Sequence, residues 1–195
     1  MLLRRQIPNA VTLGRIVLVF PILWLLWTEA YLPAVLLLAI AGLSDVLDGW
    51  LVRRYGWHTV LGAWLDPAAD KLLILGIYLV VTLSGLLPVW LLALVVGRDL
   101  WLVLGSLLYR LRVGPLAVQP LVISKLNTFL QIVLILAVIA QAGGLVPLDT
   151  VVPGLVALVA VTTLASGVAY TWQWGCRARQ VLQRRAAAER DRGET

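Results

Sequence analysis

Four aspartates stand within the most hydrophobic stretch of the chain, spaced Asp45-x-x-Asp48-Gly49-x-x-x-Arg53, then eight residues, then Gly62-x-x-x-Asp66-x-x-x-Asp70. Nearly all of their neighbours are Leu, Val, Ala, Ile or Trp. An Asp at the centre of a membrane helix is unfavourable by roughly 2.5 to 3.5 kcal/mol. Four unpaired carboxylates would then cost on the order of 10 kcal/mol, as much as the whole stability of a domain. Something must neutralise them, and hard oxygen ligands in this number suit divalent cations, Mg²⁺ or Mn²⁺. The residues point to a metal site in or beside a membrane. Gly49 and Gly62 let a bulky ligand approach the backbone, and Arg53 offers a cation to a phosphate.

The elements that must position these residues are helices. Asp45 and Asp48 are three apart, Asp66 and Asp70 four apart, and on a helix both spacings set a pair on one face with Cβ atoms about 5–6 Å apart. A span needs about 20 apolar residues. Six windows qualify, roughly 9–28, 33–52, 60–83, 88–109, 121–141 and 151–173, separated by turn formers at Pro33, Gly56, Gly85 with Pro88, Gly114 with Pro115, and Gly143-Gly144 with Pro147. The first aspartate pair ends span 2 and the second begins span 3. An antiparallel hairpin of these two helices gathers all four carboxylates at one end of the bundle.

The expected architecture is an all-α integral membrane protein, a six-helix bundle. At 195 residues, 61% hydrophobic and 13% charged, the chain is too apolar for a soluble domain and too long for one span. Residues 1–175 read as one membrane domain and 176–195 as a basic tail, either a surface helix or disordered. Alternate span ends carry Arg4, Arg5, Arg53, Arg54, Arg110, Arg112 and the tail arginines, whereas the opposite ends carry only Glu29 and Asp149. The positive-inside rule puts both termini in the cytoplasm. The net charge of +6 is then explained by topology and anionic headgroups, and no nucleic-acid role is expected. Trp27, Trp57, Trp90, Trp172 and Trp174 fall at span ends, as an aromatic belt predicts. The lone Cys176 excludes an intramolecular disulfide. The basic start lacks a small-residue cleavage site and a transit-peptide composition, which favours a bacterial plasma membrane.

Polar residues elsewhere mark candidate binding positions. Asn9, Thr12 and Arg15 recur at steps of three in span 1, either as a polar stripe or as a cap and a snorkelling arginine. Arg98-Asp99 in span 4 is most simply an internal ion pair. In span 5, Ser124, Asn127, Thr128 and Gln131 share a helical face with Lys125 beside it, too polar for lipid and suited to a ligand or to bundle packing. His58 is an interfacial residue with no assigned role.

The run Asp45–Asp70 resembles the signature of the CDP-alcohol phosphatidyltransferase family, D-x2-D-G-x2-A-R-x8-G-x3-D-x3-D, with Val52 in place of the family's Ala. The six-span reading agrees with the family's six-helix fold. The resemblance implies one or two divalent ions held by Asp45, Asp48, Asp66 and Asp70, with Asp70 also the general base for the acceptor hydroxyl. It implies that Gly49, Arg53 and Gly62 contact the CDP moiety of CDP-diacylglycerol. Asn9, Thr12, Arg15, Arg98, Ser124, Lys125 and Asn127 become candidates for binding the acceptor or a lipid phosphate. The segments Val96–Tyr109 and Pro120–Gln131 and the Ile7-Pro8-Asn9 opening are most similar to the CMP-forming cardiolipin synthases, implying phosphatidylglycerol as acceptor. The near neighbours are phosphatidylglycerophosphate synthases, which use glycerol 3-phosphate and more typically carry Gly-Lys where Ser124-Lys125 stands. Family analogy also implies a homodimer. An ion-coupled transporter or membrane scaffold is the remaining class, though such transporters commonly show paired repeats and none is evident.

Overall fold

A computed structural model of the chain describes the backbone of residues 14, 17–55, 60–114 and 121–193, and the side chains of 14, 17–44, 71–114, 121–181 and 183. Within them the fold is entirely helical. The helices are α1 (Val17–Trp27), α2 (Tyr31–Tyr55), α3 (Val60–Leu83), α4 (Val89–Arg112), α5 (Val122–Ala142) and α6 (Val151–Gly193). The bounds of α2 to α5 follow their apolar windows closely because each window ends where a turn former begins, and α1 ends with its window, whose start lies outside the described residues. The exception is α6, which continues unbroken for 43 residues. The basic segment after Cys176 is thus neither disordered nor a separate surface helix but a prolongation of the last apolar helix.

Three of the turns share one geometry. After α1, the Ala30 N–H donates to the Leu25 carbonyl at 2.8 Å and the Glu29 N–H to the Leu26 carbonyl at 3.2 Å. The same pair of bonds closes α3, from Leu86 to Val81 and from Gly85 to Thr82, and α5, from Leu145 to Ala140 and from Gly144 to Gln141. This is the Schellman cap, which needs a left-handed residue just past the helix. Gly85 and Gly144 supply it at φ 76° and 66°, but after α1 the position is Glu29, at φ 59°.

The surface is that of a membrane protein. Phe20, Val122 and Trp172 are 72%, 81% and 76% exposed, and exposed Leu and Val side chains run along every helix. Apolar exposure on this scale has no place in water. Three described stretches, Val89–Arg112, Val122–Ala142 and Val151–Val181, are long and apolar enough to cross a bilayer. The chain is an integral membrane protein.

Two compact units make up the fold: Met1–Leu92 with Ile132–Val152, and Ala93–Gln131 with Pro153–Thr195. The first has an apolar interior, including Ile22, Leu26, Ala41, Tyr78, Leu134 and Ile139. The second buries Asn127, Gln131, Thr162, Thr163 and Ser166 among Val95, Leu130, Val159, Tyr170 and Trp174. Its helices have a readable order. Arg98 meets Ser166 and Trp101 meets Thr171, while Gly105 lies against the Trp174 ring. Numbers that rise together mean that α4 and α6 run parallel. Along α5 they run in opposition, Leu121 beside Tyr170 and Asn127 beside Thr162 and Thr163. The arginines that end α4 (Arg110, Arg112) and those on α6 (Arg177, Arg179) therefore point toward one end of this unit.

Candidate active site

Asp45 and Asp48 stand on α2, Asp66 and Asp70 on α3. Both helices belong to the first unit and are separated only by residues 56–59. A connection this short joins antiparallel neighbours. The backbone thus sets both pairs on consecutive helices at spacings that keep each pair on one face. Gly49 and Arg53 share α2, and Gly62 shares α3. The side chains of these seven residues lie outside the described residues, as do Asn9, Thr12, Arg15, Trp57 and His58. Carboxylate oxygens are the hard donors that divalent Mg²⁺ or Mn²⁺ takes.

Described side chains resolve a second polar cluster, in the other unit, centred on Arg98. Its Nη1 donates to Asp99 Oδ1 at 2.8 Å. Its Nη2 donates to Ser124 Oγ at 2.5 Å and to Ser166 Oγ at 2.6 Å. The Arg98 side chain is 8% exposed and that of Asp99 35%, so the cation is held in low dielectric by one carboxylate and two hydroxyls. The expected internal ion pair of span 4 is present. The Arg98 Nε remains a buried donor without a partner. Three residues along α5 from Ser124, the Asn127 Oδ1 accepts from Thr162 Oγ1 and Thr163 Oγ1, both at 2.9 Å. Asn127 is fully buried and its Nδ2 has no partner.

Of the polar face foreseen on span 5, Ser124 and Asn127 turn to α4 and α6. Gln131 is buried, but Thr128 is exposed, its hydroxyl folded back onto the Ser124 carbonyl at 3.2 Å. Asn127 lies about 60° to one side of Ser124 and Thr128 about 40° to the other, so the two are about 100° apart and Thr128 turns away as Asn127 turns inward. Lys125 is exposed. The belt reading also needs one correction. Trp27, Trp90 and Trp172 are exposed, but Trp174 is buried and packs against Tyr170 with ring centroids 5.8 Å apart and planes tilted by 45°. A glycine at 105 removes the side chain that would otherwise exclude the indole.

Sequence reasoning missed Ser166, Thr162 and Thr163, which hold Arg98 and Asn127 from α6. Their signal was available: three small hydroxyl residues within one and a half turns of an otherwise apolar span are unusual unless they bond another helix.

The chain resembles known enzymes over most of its length. It is 38% identical over 200 residues to "CDP-diacylglycerol--glycerol-3-phosphate 3-phosphatidyltransferase 1, chloroplastic" of Oryza sativa subsp. japonica, across 92% of this chain and 59% of that protein. To the human "Cardiolipin synthase (CMP-forming)" it is 31% identical over 193 residues, across 91% and 64%. To a "Probable phosphatidylglycerophosphate synthase" of Mycobacterium tuberculosis it is 33% identical over 172 residues, across 85% and 79%. The chain spans about three fifths of the length of the rice and human relatives (59% and 64%). Among protein-family models, CDP-alcohol phosphatidyltransferase matches residues 5–175. With that match running through both aspartate-bearing helices and the Arg98 cluster alike, the chain belongs to the CDP-alcohol phosphatidyltransferase family.

Proposed function

We propose that the chain transfers a phosphatidyl group from CDP-diacylglycerol to the free glycerol hydroxyl of phosphatidylglycerol, giving cardiolipin and CMP. The observation that carries this reading is the complete aspartate signature, Asp45 to Asp70, on two consecutive helices of one unit. In it the acceptor oxygen forms a bond to the phosphorus bearing diacylglycerol, the bond from that phosphorus to CMP breaks, and the hydroxyl proton passes to the Asp70 carboxylate. Asp45, Asp48, Asp66 and Asp70 hold one or two divalent ions, as members of this family generally require. Bound Mg²⁺ or Mn²⁺ supplies positive charge against the pyrophosphate and the departing CMP. Gly49 and Gly62 admit the nucleotide close to the backbone, and Arg53 pairs with a phosphate oxygen. The proposal includes six spans, both termini in the cytoplasm of a bacterial plasma membrane, residues 1–175 as one membrane domain, and a homodimer.

For the acceptor, Arg98 is the deciding residue. It brings no net charge, because Asp99 shares it at 2.8 Å. That suits recognition of a glycerol hydroxyl more than capture of a small dianion. Ser124 and Asn127 are further candidates for acceptor or lipid-phosphate binding, as are Asn9, Thr12 and Arg15 of span 1. A second reading, phosphatidylglycerophosphate synthesis from glycerol 3-phosphate, draws on the likeness to the rice protein. It is also favoured by Lys125, Arg110 and Arg112, all exposed and able to meet a phosphate.

Purified protein given labelled CDP-diacylglycerol, Mn²⁺ and each alcohol in turn distinguishes the two. Cardiolipin is expected from phosphatidylglycerol. Turnover of glycerol 3-phosphate with none of phosphatidylglycerol would reverse the assignment. Asp70→Asn should lower CMP release by about 10²- to 10⁴-fold, the range for loss of a positioned general base, and a chelator should abolish it until Mn²⁺ is returned.

A further inference from the structure

One helix ridge in the second unit is flanked on both sides by open furrows. Leu164, Val168, Trp172 and Cys176 recur every four residues along α6 and are exposed. A furrow of about 570 Å³ runs along one side, between that ridge and α4, over Gly97, Gly167, Thr171 and Gly175. Another, of about 870 Å³, runs along the other side over Leu121, Ala165, Ala169 and Gln173. Glycines open the floor of the first furrow, and Ala165 and Ala169 lie in that of the second. A Cβ built at Gly97, Gly167 or Gly175 would meet no atom within 4 Å, so the first furrow is open space rather than a packed seam.

Each furrow reaches a cation on the same stretch of α6, Arg179 for the first and Arg177 for the second. No acidic residue stands on α6 before Glu189. From Thr163 to Arg179 is sixteen residues, about 24 Å of helix. One leaflet of a bilayer, headgroup included, measures roughly 20–22 Å. The apolar floors thus match the depth of a leaflet and the arginines match its phosphate level.

We propose that this double furrow seats one diacyl phospholipid with an anionic headgroup, one chain on each side of the Leu164–Cys176 ridge and its phosphate at Arg179. Two furrows on one ridge fit a two-chain amphiphile. A packed partner helix would instead interlock its own side chains across the ridge and leave the charge at Arg179 without a counterpart. Arg98 also lines the first furrow, but its Nη atoms are taken up by Asp99, Ser124 and Ser166, and the inference uses neither those contacts nor the aspartates.

The test uses the full chain in nanodiscs of phosphatidylcholine with phosphatidic acid, an anionic diacyl lipid carrying no acceptor hydroxyl. Lipids that remain bound after release are counted by native mass spectrometry. The wild type should retain phosphatidic acid in preference to phosphatidylcholine. Arg179→Gln should reduce that preference roughly fivefold, the worth of about one interfacial arginine. Gly167→Leu with Ala169→Leu, filling both furrows, should remove most of the bound lipid of either kind. Helical circular dichroism and monodispersity confirm that each variant is folded, and Arg179→Gln alone carries the test if the filled variant is not. Unchanged lipid retention in the filled variant overturns the proposal. So does a filled variant that keeps its lipid but loses self-association, which would give the ridge to a second copy of the chain.

Discussion

At the scale of single residues, Arg98 is the most constrained side chain that the structure describes. Three acceptors on three helices hold its guanidinium. Removing it takes from Asp99 its 2.8 Å bond and from two hydroxyls their donor. Arg98→Ala should therefore destabilise the protein by roughly 2–3 kcal/mol, below the range for a fully buried pair because Asp99 is 35% exposed. Replacing both charges, Arg98→Met with Asp99→Leu, should recover much of that loss. Denaturation in mixed micelles measures the stability, and CMP release in the same samples separates the two roles. A double variant that is stable yet inactive assigns Arg98 to substrate, whereas recovery of both confines it to packing. The ion pair itself was readable from two adjacent charges in an apolar segment. Its partners were not, because Ser124 and Ser166 lie 26 and 68 residues away from Arg98 and nothing local connects them.

At the scale of elements, hydropathy and turn formers located the helices within a few residues, since both are local properties of the chain. Helix rotation was less legible. In spans that are apolar all round, the hydrophobic pattern does not mark a face, so Trp174 read as interfacial although it packs inward on Gly105. That contact is tight: a Cβ at Gly105 would come within 2.8 Å of the Trp174 Cη2. Gly105→Ala should cost about 1–3 kcal/mol through overpacking, and Gly105→Ala with Trp174→Leu should restore stability, as thermal unfolding in detergent would show. The cap after α1 offers the opposite case. Glu29 occupies a left-handed position, φ 59°, that is unfavourable by roughly 1–2 kcal/mol for a residue with a Cβ. Glu29→Gly should raise the midpoint of unfolding, and a lowered midpoint would mean that the Glu29 carboxylate makes a stronger contribution than its backbone strain.

At the scale of the whole molecule, the proposed orientation has a test already built into the chain. Cys176 is the one cysteine in the sequence and it is exposed, on the stretch of α6 where Arg177 and Arg179 gather. With the arginine-bearing ends in the cytoplasm, a membrane-impermeant maleimide should leave Cys176 unlabelled in intact cells and label it in inverted vesicles. Labelling in intact cells would reverse the topology. The charge asymmetry that predicts this was the clearest global signal in the sequence. The gathering of buried amides and hydroxyls in one of the two units was not legible, because both are built from equally apolar spans and differ in which few polar side chains turn inward.

The unbroken course of α6 has a practical consequence for optical measurement. Forty-three residues of continuous helix extend about 65 Å, and a bilayer core takes up only about 30 Å of that. A fluorophore near residue 190 would ride on a stiff lever rather than a floppy tether. Its distance to a headgroup dye should then be long and narrowly distributed, so energy transfer from that point reports tilt of the last helix instead of random tail motion.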